Sequence, residues 1–133
     1  MLGLHLWAGL DTGKVSIRSG PIMASTDEFK ITIHGQGGHG AYPHQTADAL
    51  VAAGYLITQL QTIVSRRIDP LEPAVVTVGT IHAGTAFNVI TDRAELTGTV
   101  RTHSEPVRDR VSAELERVVT QGLSGLGVTA ELR

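Results

Sequence analysis

The side chains best suited to chemistry gather in one short stretch. His34, His39 and His44 recur five residues apart around the run Gly35-Gln-Gly-Gly-His-Gly40. Gly35-x-Gly37-x-x-Gly40 after a strand-like run is a literal match to a dinucleotide fingerprint. In that motif, however, the helix opens within the glycines, so that its first amides face a pyrophosphate. Here Tyr42-Pro43-His44-Gln45 intervene, and the acid expected about twenty residues on is missing from the middle of the next helical pattern. A metal site would want two histidines on one helical face or an acidic ligand nearby, and a spacing of five supplies neither. His34 and His44 therefore read as surface or hydrogen-bonded histidines. His39 differs, because it is surrounded by glycines in a loop leaving a strand end. It can approach a ligand bound outside the domain, or it can sit on a plain surface turn.

The elements that would position this loop follow from hydrophobic period. Phe29, Ile31 and Ile33 alternate with Glu28, Lys30 and Thr32, as in a half-buried strand. A helix over 46–67 follows, with Thr46 as its cap, Asp48 in its first turn, and Leu50, Ala53, Ile57, Leu60 and Val64 as its buried stripe. Asp69-Pro70 and Pro73 end it. Residues 74–82 form a strand rich in β-branched side chains. The loop 83–86 then leads to a third strand with Ala94, Leu96, Gly98 and Val100 on one face. Its other face carries Glu95, Thr97, Thr99 and Arg101. Ser104-Glu105-Pro106 open a second helix buried through Val107, Val111, Leu115 and Val118; Gly125 and Gly127 close it, and 128–132 are a last strand.

The order βαββαβ predicts an α+β two-layer sandwich of ferredoxin-like topology. A four-stranded antiparallel sheet carries both helices on one face, and right-handed crossovers give the spatial strand order 4-1-3-2. Strand 74–82 then lies at an edge, with neither charge nor proline inside it to discourage pairing. Residues 1–22 hold Gly3, Gly9, Gly13 and Gly20 without any helical period, and are read apart from a domain spanning 23–133.

Composition narrows the function classes. The chain has 133 residues, 41% hydrophobic and 18% charged, which suits one globular domain and is too apolar for disorder. Eleven Lys and Arg against thirteen Asp and Glu give a net charge of −2, which excludes the basic footprint of a nucleic-acid binder. There is no cysteine, hence no disulfide, thiolate nucleophile or sulfur-ligated metal in this chain. No apolar run is long enough for a membrane, and the N-terminus lacks the basic region of a signal peptide. A cytoplasmic location is expected.

GPIMASTDEFKITIHGQGGHGAYPHQTADA and AFNVITDRAELTGTVRT resemble the lid, or dimerisation, domain of the aminoacylase, hippurate hydrolase and carboxypeptidase G family of metallo-amidohydrolases. The GGHGAYPH form points to its hippurate and auxin-conjugate branch. The resemblance implies an inserted α/β lid that forms a homodimer through the edge strand 74–82 and the helix 46–67. By it, His39 reaches the partner subunit's active site to polarise the scissile carbonyl, and Asn88 helps hold the same oxygen or the substrate. Arg101 grips the carboxylate of the amino acid, with Gly84 and Thr85 beside the substrate. His5, in GLHLW, matches a ligand of one of two divalent metals (Zn, Mn, Co or Ni) that activate water against an N-acyl amino acid.

The resemblance also marks departures. The other metal ligands and the glutamate base are absent from this sequence, so residues 1–22 read as the tail of a catalytic half. The 133 residues alone are expected to dimerise without hydrolysing anything or binding a catalytic metal. Ala8 and Thr91 stand where the branch usually has proline; Ala8 is expected to be neutral, while Thr91 loses a rigid turn beside Asn88. Two other readings stay open: a free-standing edge-strand interaction module, and an amino-acid-binding regulatory domain.

Overall fold

The computed structural model describes residues 4–133. Its elements are β1 (Asp27–His34), β2 (Gly38–His39), a 3-10 turn (Pro43–Gln45), α1 (Ala49–Arg67), β3 (Ala74–Ala83), β4 (Val89–Ile90), β5 (Arg93–Thr102), α2 (Glu105–Gln121), a second 3-10 turn (Ser124–Leu126) and β6 (Thr129–Leu132). The main sheet is antiparallel in the order β3-β5-β1-β6, the predicted arrangement, and β2 and β4 form a separate two-stranded ribbon. Both helices cover one face, α1 over β3, β5 and β1, and α2 over β6 and β5. Residues 4–23 lie off the sheet with Leu4, Leu6, Val15 and Ile17 exposed, and Ser25 makes the first tie, donating its N–H to the Thr102 carbonyl at 2.7 Å.

Alternation produces the core. Phe29, Ile31 and Ile33 of β1 and Ala94, Leu96 and Val100 of β5 face the helices and are buried. Each large aliphatic side chain so buried contributes roughly 1.5–3 kcal/mol. Gly98 interrupts this row because a Cβ there would collide with the Phe29 ring and the Thr77 carbonyl. On α2 the predicted stripe of Val107, Val111, Leu115 and Val118 is buried, joined by Val119. Its charged residues, among them Arg108, Glu114 and Arg117, take the outer side in ion pairs. Gly127 adopts φ +70°, a left-handed turn that leads the chain into β6.

Two details of α1 correct the sequence reading. The helix starts at Ala49, and its cap is Asp48, whose carboxylate accepts the N–H groups of Leu50 (2.9 Å) and Val51 (3.1 Å). Thr46 instead donates its hydroxyl to the Pro43 carbonyl at 2.8 Å, closing the preceding turn. The buried stripe is also rotated: Ala49, Ala52, Ala53, Leu56, Leu60 and Ile63 are buried, whereas Leu50 is half exposed and Ile57 and Val64 are intermediate. Asp48→Ala should lower unfolding stability by about 1 kcal/mol through two orphaned amides, measured by urea denaturation; an unchanged midpoint would remove Asp48 from the capping role.

Asp27, opening β1, is gripped at both carboxylate oxygens by Arg108 of α2, with Nε at 2.9 Å and Nη2 at 2.5 Å. That hydrogen-bonded guanidinium holds the Asp27 carboxyl below its ordinary 3.8. A depressed carboxyl stabilises the fold above the unfolded-state value and loses that contribution as pH falls through the folded-state value. Stability should therefore drop more steeply below about pH 4 in the native chain than in Asp27→Asn. Parallel acid-denaturation curves for the two proteins would show the pair to be inert.

Candidate functional site

The glycine-rich segment is a packing device. Gly35 donates its N–H to the Asp92 carbonyl at 2.8 Å, and Gln36 and Ala47 exchange backbone hydrogen bonds at 2.9 Å. A Cβ at Gly35 would collide with the Ala47 carbonyl. One at Gly37 would come within 2.8 Å of the Ile90 carbonyl, and one at Gly40 within 2.9 Å of the Asn88 carbonyl. None of the three has positive φ, so the lack of a side chain is what these positions need. The glycines let this segment lie directly against residues 88–92, and no helix opens among them to receive a pyrophosphate.

That close approach joins His39 to Asn88. His39 pairs with Val89 across the β2–β4 ribbon, and Gly40 donates its N–H to the Asn88 carbonyl at 2.8 Å. Phe87 and Asn88 occupy the corners of a turn closed by Val89 N–H on the Ala86 carbonyl (3.3 Å). His39 is exposed, and its Nδ1 accepts the Ala41 N–H at 3.1 Å. With Nδ1 so engaged, a neutral imidazole carries its proton on Nε2 and presents an N–H donor outward. Tyr42 lies against the ring at 5.4 Å between centroids. The turn beside Asn88 does without proline: Thr91 Oγ1 donates to the Arg93 carbonyl (3.0 Å) and accepts the Arg93 N–H (3.2 Å).

Arg101 is elsewhere. Gly35 and Asp92 mark the His39 end of β5, whereas Arg101 lies eight residues beyond Arg93, in register with Val75 at the start of β3. At about 3.4 Å per residue, Arg93 and Arg101 are about 27 Å apart along β5. The Arg101 guanidinium donates to the Thr99 hydroxyl and, at 3.2 Å, to the Val100 carbonyl, on the sheet face that carries no helix. It shares a hollow there with Lys30, Thr77, Thr97 and Arg133. Gly84, at φ +75°, and Thr85 line a different cleft, beside the His39–Asn88 end.

Known proteins share this architecture. A family profile described as the peptidase dimerisation domain matches residues 25–125. The chain belongs to the peptidase dimerisation domain family. An N-acyl-L-amino acid amidohydrolase of Geobacillus stearothermophilus is 47% identical over 133 residues, all of this chain and 36% of that protein. An N-acetyldiaminopimelate deacetylase of Streptococcus sanguinis is 47% identical over 134 residues, 98% of this chain and 35% of that protein. The crystal structure of a dinuclear metal-binding peptidase of Bacillus subtilis superposes with a TM-score of 0.68 at 36% identity, covering 88% of this chain and 27% of that one. The chain thus spans about a third of the length of the curated relatives it matches.

The other histidines considered in the sequence, His5, His34 and His44, do not converge on one another. His5 is exposed off the sheet, with Nδ1 2.5 Å from the Leu6 carbonyl and its ring against Trp7. His34 faces Glu131 at 3.8 Å, and His44 lies edge-on to Tyr42. Among the described residues no three His, Asp or Glu side chains gather where they could hold a metal ion. These residues do not fit a dinuclear centre, and the chemistry they support is that of hydrogen-bond donors and a cation. On the open sheet face, Glu95 is paired with Arg93 (2.6 Å) and Lys30 (2.9 Å). The hydrogen bonds from Arg93 and then Lys30 lower its carboxyl to about 2.

One feature of the domain escaped the sequence reading. From Ala49 to Ser65 no residue of α1 carries a charge, yet Leu50, Val51 and Tyr55 are about half exposed. The outward face of α2 is laced with ion pairs, whereas among the described residues α1 makes one only at its C-terminal end, from Arg67 to Glu114 at 3.9 Å. The neighbouring edge strand β3 exposes Val75 and Ile81. A bulge at Gly79 breaks the β3–β5 register between Val78 and Thr80, so the edge is less regular than its sequence suggests.

Proposed function

We propose that this domain pairs two subunits of a metal-dependent N-acyl-amino-acid amidohydrolase and supplies part of each active site from both subunits. The observation that carries this reading is the separation of the donors from the cation. His39 and Asn88 stand beyond the Arg93 end of β5 and Arg101 near the other, with about 27 Å of strand between Arg93 and Arg101. A small N-acyl amino acid cannot touch both ends of one chain. An antiparallel, two-fold pairing through the middle of β3 reverses the second copy. Its 84–88 loop then returns to the Val75 end, where Arg101 stands one strand in. The bulge at Gly79 lies near the point the two-fold axis crosses. The uncharged outer face of α1 flanks this edge and gives the interface an apolar layer.

In this reading the Nε2–H of His39 and the carboxamide of Asn88 face the scissile carbonyl of a substrate whose carboxylate pairs with Arg101 of the other subunit. Donors fixed where negative charge develops stabilise the tetrahedral oxyanion, each worth about 10²–10³ in rate. Gly84 and Thr85 flank the bound molecule. Residues 1–22 are assigned to a neighbouring catalytic unit and 23–133 to the dimerisation unit. His5 would add one imidazole to ligands contributed from outside the described residues. The GGHGAYPH form favours relatives acting on hippurate-like and auxin-conjugate amides.

Sedimentation equilibrium on the purified 133-residue chain tests the pairing. The expected result is a dimer near twice 14.1 kDa at low-micromolar concentration. A folded monomer under those conditions would sink the reading, because His39 would have no second site to reach. Amino-acid binding by the isolated dimer that needs Arg101 and the interface but neither His39 nor a metal would favour a regulatory domain instead.

A further inference from the structure

Resting on that reading, we infer that Thr99 is a positioning residue that holds the Arg101 guanidinium ready for the substrate's carboxylate. Thr99 and Arg101 alternate on β5 so as to share the sheet face that carries no helix. The Thr99 hydroxyl donates its proton to the Asp27 carbonyl at 3.0 Å. A hydroxyl has a single proton, so what Thr99 offers Arg101 is a lone pair, and Nη1 of Arg101 donates to it. The relay ends on fixed backbone, because Asp27 is in register with Val100 and its carboxylate is gripped by Arg108 of α2.

The edge of Arg101 left over is the one that recognises carboxylates. Nη1 also donates to the Val100 carbonyl at 3.2 Å, so both of its hydrogens are used inside the chain. Nε and Nη2 donate to nothing among the described residues, and Arg101 makes no ion pair with any of them. Those two nitrogens carry the parallel N–H groups that take a carboxylate bidentately. A competitor stands close by. Glu28 of β1 is opposite Thr99 in register and lines the same hollow, which puts it diagonal to Arg101 and within reach of so long a side chain. Tied to Thr99 and Val100, the guanidinium does not pair with Glu28. Without the Thr99 hydroxyl the fork is free to close on Glu28, and a substrate then has to displace a carboxylate of the chain itself.

The test starts with the 133-residue chain. Nitrogen relaxation at the Arg101 Nε–H should show a guanidinium as ordered as the sheet in the native chain and in Thr99→Ser. It should show a mobile one in the double variant Glu28→Gln/Thr99→Val, and an ordered signal there would overturn the inference. Steady-state kinetics of a full-length amidohydrolase carrying these residues give the second readout. Thr99→Val should raise KM for an N-acyl amino acid about tenfold with kcat nearly unchanged, the mark of lost ground-state binding. Adding Glu28→Gln should restore part of that affinity, and Thr99→Ser should keep the native KM. The same substrate with its carboxylate converted to an amide should not distinguish Thr99→Val from the native enzyme. A native KM in Thr99→Val would overturn the inference; so would an equal loss with carboxylate and amide substrates, by making Thr99 a structural residue. Failure of the composite-site reading looks different: Arg101→Ala would itself leave KM unchanged, whereas here it raises KM further than Thr99→Val does.

Discussion

In a full-length amidohydrolase carrying these residues, His39→Ala is expected to lower kcat by about 10²–10³ while leaving the thermal midpoint where it was. Stability is spared because the side chain is exposed and its one hydrogen bond among the described residues, from the Ala41 amide, is replaced by water. The rate falls because the Nε2–H donor is lost at the oxygen where charge develops. His39→Gln, which keeps an N–H near the same place, should recover part of the loss. Steady-state kinetics of the three proteins with an N-acyl amino acid decide the matter. Unchanged turnover in His39→Ala would end the proposed role, and a matching fall in thermal midpoint would make it a structural residue instead.

The second large effect concerns association. Tyr55→Lys places a charge on the uncharged outer face of α1, and Ile81→Lys places one on the β3 edge; both side chains are exposed in the monomer. An aromatic residue central to an interface commonly carries about 2 kcal/mol or more, so Tyr55→Lys should raise the dimer dissociation constant by about thirtyfold. The double variant should be monomeric across the micromolar range, with native circular dichroism. Dimers that survive both substitutions would place the interface on another surface, the open sheet face with Arg101 being the next candidate.

The sheet was readable because its strands alternate strictly. Phe29, Ile31 and Ile33, and Ala94, Leu96 and Val100, can face only one way, and two crossovers then set the strand order. On α2 the charges pick out the outer side, and the buried stripe follows. On α1 they do not. With apolar or uncharged residues all round, several faces satisfy a helical period, and the face that met the sheet was rotated from Leu50 and Ile57 to Ala49, Leu56 and Ile63. The ambiguity has a physical source, since a helix with two apolar faces has two surfaces to cover. The β2–β4 ribbon is two residues a side, too short for any period to register, so the bond between Gly40 and Asn88 that joins the site's two halves was not visible. His39 itself could be singled out from its glycine neighbours, but its tautomer needed the Ala41 amide.

The distance between the two ends of β5 has a genetic meaning. If each site takes His39 and Asn88 from one subunit and Arg101 from the other, His39→Ala and Arg101→Ala damage different contributions to the same site. Two alleles that each abolish most turnover would then complement one another. In a mixed dimer one site inherits both lesions, while the other draws its histidine and its arginine from the undamaged copies. Random pairing of equal amounts makes half the dimers mixed, so about a quarter of the native activity should return. Placing both changes on one chain reverses the outcome. That chain spoils both sites of any native chain it pairs with, one through the missing histidine and the other through the missing arginine. A doubly changed allele would therefore be dominant over a native one, removing more activity than its own share of the chains.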